Sequence, residues 1–184
     1  MTPPLLPPSL VPLALADAAA LGIFETRNRA FFEASINARP PAFYAPGGVE
    51  AAVAQALADA RADRGYQYLL KEEGGEIVGR FNLSGVRRAH FQSATLGYRI
   101  AESACGKGYA SVAVRQMLER AFGELGLMRI EADARIDNAA SIRVLTRNGF
   151  VQYGHSRRSF EHGGAWHDRL HFERHRPAAE SAPP

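Results

Sequence analysis

All eleven prolines of this 184-residue chain lie at or before Pro46 or at or after Pro177. Proline removes a backbone donor and breaks helix interiors and central strands, so the span 47–176 is free to form continuous regular structure. Within it, strand-like Leu96-Gly-Tyr-Arg-Ile100 leads into a glycine-rich turn, Cys105-Gly-Lys-Gly-Tyr-Ala-Ser111. Val112, Val114, Met117, Leu118, Ala121 and Phe122 follow at helical spacing. A strand that enters a helix through glycines makes an anion site, because the first helical N–H groups are unpaired and carry the positive dipole end.

The remaining pattern predicts an α+β domain with a mixed, mostly antiparallel sheet flanked by helices. Leu10–Leu13 reads as a first strand, and a short Ala-rich helix starts at Asp17 with Leu21 and Phe24 on one side. The stretch Phe31–Gly48, with Pro40-Pro41 and Pro46-Gly47-Gly48, reads as an irregular loop. Val49–Arg64 is an amphipathic helix. Alternating Tyr66, Tyr68 and Leu70 predict a half-buried strand, and Glu73-Gly74-Gly75-Glu76 a hairpin turn. Strands over 77–84 and 93–100, a helix over 108–125, a strand over 129–134, a helix over 138–148 closed by Gly149, and a final strand pair over 150–155 and 165–173 complete the order. The domain is expected at 10–175, with disordered tails at 1–9 and 176–184.

Composition narrows the classes. Hydrophobic residues are 46% and the net charge is +3, an ordinary globular balance with a mild preference for anions. No dense Lys/Arg stripe with interleaved aromatics points to nucleic acid. A single cysteine, Cys105, excludes an internal disulfide framework. No apolar run reaches the roughly 20 residues that span a bilayer, and the N-terminus has no positive segment of a signal peptide. A cytoplasmic location is the expectation.

The turn itself fits two familiar phosphate loops poorly. Lys107 lies between Gly106 and Gly108, which breaks the Walker A spacing. No third glycine stands at position 111, and the strands before the turn form a meander instead of a βαβ unit, so a dinucleotide fingerprint fails as well. The series Leu96-Gly-Tyr-Arg-Ile100, Gly106-Lys-Gly-Tyr-Ala110, Asp137-Asn-Ala-Ala-Ser-Ile142 and Asn148-Gly-Phe150 resembles the GNAT superfamily of acyl-CoA-dependent N-acyltransferases. It is similar in particular to the RimJ/RimL branch, which acetylates ribosomal-protein N-termini.

The resemblance implies the GNAT fold and transfer of an acetyl group from acetyl-CoA to an amine, with no metal. The favoured acceptor is a protein N-terminus, such as the alanine of a ribosomal protein. The alternatives are a small-molecule amine as acceptor, or a non-catalytic CoA-binding or ribosome-associated module on the same scaffold. Pantetheine is then expected beside Tyr98–Ile100, and pyrophosphate on the amides of Gly106, Lys107, Gly108, Tyr109 and Ala110. Asn138 is expected near the CoA arm, with an N-cap role compatible. Lys107 reads equally as a phosphate partner or a solvated lysine, and Arg143 and Arg147 as a solvated face within reach of the adenosine phosphate. The family's Gln or Arg at the start of the phosphate motif is Cys105 here, a neutral replacement or a redox-sensitive thiol of low pKa.

For catalysis, Asn138-x-x-Ser141 resembles the RimL pattern, which implies Ser141 as the acid that protonates the leaving thiolate. The tyrosine used by many relatives is replaced by Leu145. Asp133 and Glu131 are the leading candidates for the base, with Glu161 and Glu102 behind them. A terminal α-amine, of pKa about 7.7–8.0, also reacts without one. Asn28-Arg29 and Trp166 are expected at the acceptor groove, Trp166 reading also as core. The branch's Pro-Trp element after Asn-Arg is replaced by Ala30-Phe-Phe-Glu-Ala34. His167, His171 and His175 would share a helix face, but on a strand residues four apart lie about 13 Å apart, which argues against a metal.

Overall fold

The computed structural model describes residues 8–178, in which seven strands form one sheet. They are β1 (Ser9–Pro12), β2 (Gly65–Lys71), β3 (Ile77–Arg87), β4 (Ser93–Ile100), β5 (Arg129–Arg135), β6 (Val151–His162) and β7 (Ala165–His175), in the spatial order β1-β2-β3-β4-β5-β7-β6. The helices are α1 (Ala18–Arg27), α2 (Arg29–Glu33), α3 (Pro41–Tyr44), α4 (Gly48–Arg61), α5 (Tyr109–Glu119) and α6 (Ala139–Arg147). A π-helical turn over Arg120–Glu124 finishes α5.

Every neighbouring strand pair is antiparallel except β4 and β5, which α5 joins as a parallel crossover. That parallel pairing is short. It runs from Ser93 opposite Arg129 to Leu96 opposite Ala132 and stops. Beyond it Gly97–Ile100 stays paired to β3, while Asp133–Arg135 stays paired to β7. The sheet therefore opens between its two central strands. Side chains alternate across this opening. Tyr98 points to α6, where it meets Ser141, and Arg99 points to the other face, where it meets Glu25 of α1.

Four expectations need correction. The loop predicted over 31–48 contains most of α2 and all of α3. Pro41 opens α3 at a first-turn position where its missing N–H costs nothing. Gly48 is required just after it, since a Cβ there would lie 2.0 Å from the Ala42 carbonyl oxygen. β2 is not half-buried: Tyr68, Leu69 and Leu70, which alternate between its two faces, are all buried. The terminal strands run longer than predicted, to His162 and His175. At the ends, Ser9 already pairs with Lys71, and the Arg176 N–H donates to the Met128 carbonyl, so both residues belong to the domain. The rest of the expected tails, 1–7 and 179–184, lies outside the described residues.

Glu25, fully buried on α1, joins four parts of the fold. Arg39 donates to both its oxygens at 3.1 and 2.7 Å, Arg80 of β3 donates at 2.9 Å, and Arg99 of β4 at 2.9 Å. Burial alone would raise the Glu25 pKa. The hydrogen bond from Arg39 and the charges of Arg99, Arg39 and Arg80 outweigh it and hold the carboxyl below its ordinary value. Removing one partner of a buried ion pair strands the others. Glu25→Gln should therefore destabilise the fold by about 3–5 kcal/mol in urea unfolding. Because the folded pKa is depressed, the wild-type contribution is present above pH about 4.3 and is lost as pH falls through the lower folded value. The variant's unfolding should lack that acid-dependent component.

Candidate active site

At the sheet opening, the phenol of Tyr98 and the hydroxyl of Ser141 lie 2.9 Å apart. The Tyr98 ring stacks on Phe81 with centroids 5.6 Å apart. Burial pushes its pKa up to about 12, the Ser141 hydrogen bond opposing, so the phenol keeps its proton. Ser141 is fixed from the backbone side, its N–H donating to Asn138 Oδ1 at 3.0 Å. Asn138 is thus the N-cap of α6. At the other end of α6, Asn148 Nδ2 donates to Val144 O at 2.8 Å and to Ser111 Oγ of α5 at 3.2 Å, tying the two helices together. Leu145, in the place of the family's tyrosine, is fully buried core. The phenol beside Ser141 comes instead from β4. Sequence analysis placed Tyr98 only beside the pantetheine, since a contact 43 residues apart leaves no local signal.

The turn before α5 has the geometry of an anion cradle. Gly106 and Gly108 have φ of +78° and +80°, a region that favours glycine. No atom lies within 4 Å of where their Cβ atoms would stand, so the backbone is open to a ligand. Among the described residues, no acceptor is bonded to the amides of 106–110, while the Ser111 and Val112 N–H groups already donate to Gly108 O. Lys107 is exposed, its Nζ 5.7 Å from the Tyr109 ring. The strand segment Gly97–Ile100, unpaired on its β5 side, leads from this turn to Ser141. Phosphate-accepting amides and an open strand edge in line are the features acetyl-CoA requires, so the residues present fit it.

Cys105 departs from the redox expectation. Its thiol donates to Ala101 O at 3.4 Å, and burial together with the Glu102 charge pushes its pKa up. Both effects run against a low-pKa thiol and agree with a neutral replacement. Of the two arginines on α6, Arg147 lines a groove of about 610 Å³ with Arg115, Arg174, Ser111 and Asn148. Arg143 does not line it.

The opposite face carries the carboxylates. Asp133 is the first β5 residue past the last β4 pair. Both its oxygens are engaged, Oδ2 by Arg169 at 2.7 Å and Oδ1 by His171 Nδ1 at 2.5 Å. His171 in turn contacts Ser156 Oγ through Nε2, and its ring lies over Gly154. Sequence reasoning weighed His171 only as a metal ligand and missed this partnership, which the β5–β7 register sets by placing it opposite Asp133. Glu131 is paired to Arg129 at 2.9 Å and faces Arg87 at 3.6 Å. Glu161 accepts the Gly164 N–H at 2.8 Å and supports the hairpin turn. Glu102 is exposed, and its N–H donates to Asn28 Oδ1 at 2.9 Å.

Asn28 also donates to Phe24 O at 2.9 Å, so both ends of its amide already hold the α1–α2 corner. Arg29 donates to Glu33 at 2.8 Å and lies 4.3 Å above the Tyr44 ring. Trp166 is not core: it is 62% exposed, opposite Glu161 near the hairpin tip. The hairpin reaches α2 through His162, whose Nε2 is 2.9 Å from Glu33 O. Among the described residues, no group of three metal-ligating side chains converges.

Comparison with known proteins decides the family: the acetyltransferase (GNAT) domain model matches residues 9–151. The chain belongs to the GNAT family. The probable N-acetyltransferase YjcK of Bacillus subtilis (strain 168) is 30% identical over 158 residues, covering 85% of this chain and 87% of that protein. Mycobacterium smegmatis RimJ, solved in complex with CoA-disulfide, is 28% identical with a TM-score of 0.83, covering 93% of this chain and 86% of that one. The fold is shared with the ribosomal-protein-S5-alanine acetyltransferase of Vibrio fischeri, at a TM-score of 0.87, 24% identity and coverage of 90% and 91%. The protein is an acetyl-CoA-dependent N-acetyltransferase.

Gly108→Ala places a side chain in a left-handed backbone position, at a cost of about 1–2 kcal/mol. It should destabilise the protein by that amount and weaken CoA binding in calorimetric titration. Cys105→Gln should leave CoA affinity unchanged in the same titration, since the amides make the cradle.

Proposed function

We propose that this GNAT enzyme acetylates the N-terminal α-amine of a protein, with the alanine N-terminus of a ribosomal protein as the favoured acceptor. The observation that carries the catalytic part is the Asn138–Ser141–Tyr98 arrangement at the sheet opening. Likeness to RimJ, and fold-level likeness to an S5-alanine acetyltransferase, support the acceptor.

In this reading acetyl-CoA supplies the thioester, and the chain's residues do the rest. The edge of Gly97–Ile100 aligns the pantetheine as an added strand would. The amides of Gly106, Lys107, Gly108, Tyr109 and Ala110 take the pyrophosphate, with Lys107 beside them. Arg147, Arg115 and Arg174 offer charge to the adenosine phosphate. Asn138 holds Ser141 in place, and Ser141 donates a proton to the departing thiolate, while Tyr98 donates its own hydrogen bond to Ser141 Oγ.

The acceptor approaches from the α1–α2 side, where Arg29, Asn28 and the Trp166 hairpin form the rim. Of the two carboxylates, Asp133 is the better placed to receive the amine proton, as the first β5 residue past the paired segment. Glu131 lies one step deeper in the paired region. Both already carry arginine partners. The partly neutral α-amine lightens the demand on either.

Thiol release from acetyl-CoA, measured with N-terminal-alanine peptides, free amino acids and polyamines, tests the reading. The alanine peptides should give the highest kcat/KM, and their N-acetylated forms none. Ser141→Ala should lower kcat by about a hundredfold or more, with little change in the KM for acetyl-CoA. Preference for a polyamine, or release that no acceptor stimulates, would overturn it.

A further inference from the structure

Three guanidiniums share one carboxylate beside the sheet opening, and the charges do not balance. Arg80 is fully used, with one nitrogen on Glu25 and two on Gln67. Arg39 spends Nε and Nη2 on Glu25, and Arg99 spends only Nη1. The remaining donors, Nη1 of Arg39 and Nε and Nη2 of Arg99, have no acceptor among the described residues. None of them is among the buried, unpartnered atoms, so they are open to solvent. Glu25 itself has no exposed surface, whereas the Arg39 and Arg99 side chains are each 22% exposed. The cluster thus turns its cationic side outward and hides its only anion.

The two exposed guanidiniums are also held in shape. Arg39 lies 4.4 Å over the Phe43 ring and Arg99 5.0 Å over the Phe32 ring. Stacking fixes the planar fork and keeps it poorly hydrated, which suits bidentate capture of a carboxylate. Elsewhere on this face charges cancel in pairs: Asp133 with Arg169, Arg135 with Asp137, Arg29 with Glu33. The Glu25 cluster, by contrast, sets three arginines against one carboxylate. Arg99 stands on the unpaired part of β4, three residues past Leu96, about 10 Å along the strand.

We propose that Arg39 and Arg99 form an anion-recognition subsite for the acceptor, so that the enzyme favours amines carrying a carboxylate a few bonds from the nitrogen that is acetylated. This rests on the reading above only in placing the acceptor on the α1–α2 face. The carboxylate is that of an acidic side chain at the second or third residue of a peptide, or of a small acidic amino acid. The same charge repels polycationic acceptors.

Two measurements test it. The first compares kcat/KM for alanine-initiated peptide amides with Glu, Gln or Lys at positions 2 and 3, and for free glutamate against its diamide. Glu peptides should exceed Gln peptides by tenfold or more, chiefly through KM, with Lys peptides lowest, and 0.5 M salt should compress the difference. A preference confined to free glutamate assigns the subsite to a small acceptor, and one confined to Glu peptides to a polypeptide. Equal values for Glu and Gln, or a preference for Lys, would overturn the proposal. The second measures glutarate binding to the CoA-saturated protein by calorimetry, which needs no turnover. Binding should be one to one and weakened tenfold or more by Arg39→Gln, a variant that leaves Glu25 its Arg80 and Arg99 partners. Absence of glutarate binding would refute the subsite whatever the activity. Glutarate binding without acetylation of any peptide would uphold the subsite and refute the N-terminal reading.

Discussion

A single buried carboxylate organises the α1–α2 side of the molecule. Glu25 is reached by arginines from the segment after α2, from β3 and from β4, so one residue fixes the distance between α1 and the sheet. Apolar packing could hold those elements together without fixing their angle. A charged, directional contact with several donors tolerates only one arrangement. The α1–α2 corner, secured further by Asn28, is placed by it. So is the strand segment of β4 on which both Tyr98 and Arg99 sit. The two faces of the site share one strand, and Glu25 sets that strand's position.

The chemistry then follows from where the sheet fails to close. Parallel pairing of β4 and β5 lasts only from Ser93 to Leu96. Past that point the backbone of β4 is free to bond a ligand, and alternate residues present a phenol to one side and a guanidinium to the other. Ser141 reaches the opening because Asn138 caps α6 at that spot, and its hydroxyl meets the Tyr98 phenol there.

Local signals in the sequence were enough for most of this. Proline exclusion from 47–176, the glycines of the turn and the Asn138 cap depend on neighbours within a few residues, and they were legible. What depended on register was not. The pairing of His171 with Asp133 spans separate strands, and nothing in the spacing of the histidines announces it. The burial of Glu25 was invisible because a glutamate on an amphipathic helix ordinarily faces water. The core reading of Trp166 failed for the related reason that alternation along β7 gives two faces without saying which one is covered. The short helix α3 was hidden by Pro40-Pro41, since proline marks a helix start as readily as a break.

The brevity of the β4–β5 contact bears on how the molecule holds together. On one side stands an antiparallel meander, β1 to β4, and on the other a three-stranded unit, β5 to β7, each with its own continuous ladder. Between them the backbone seam is a few rungs long. In the proposed binding mode, acetyl-CoA in that seam would bond to one half and pack against the other, a rivet as well as a reactant. Cohesion of the whole domain would then be linked to cosubstrate supply, through the usual coupling of ligand occupancy to unfolding. That seam is, with β1–β2, one of the two shortest strand pairings among the described residues.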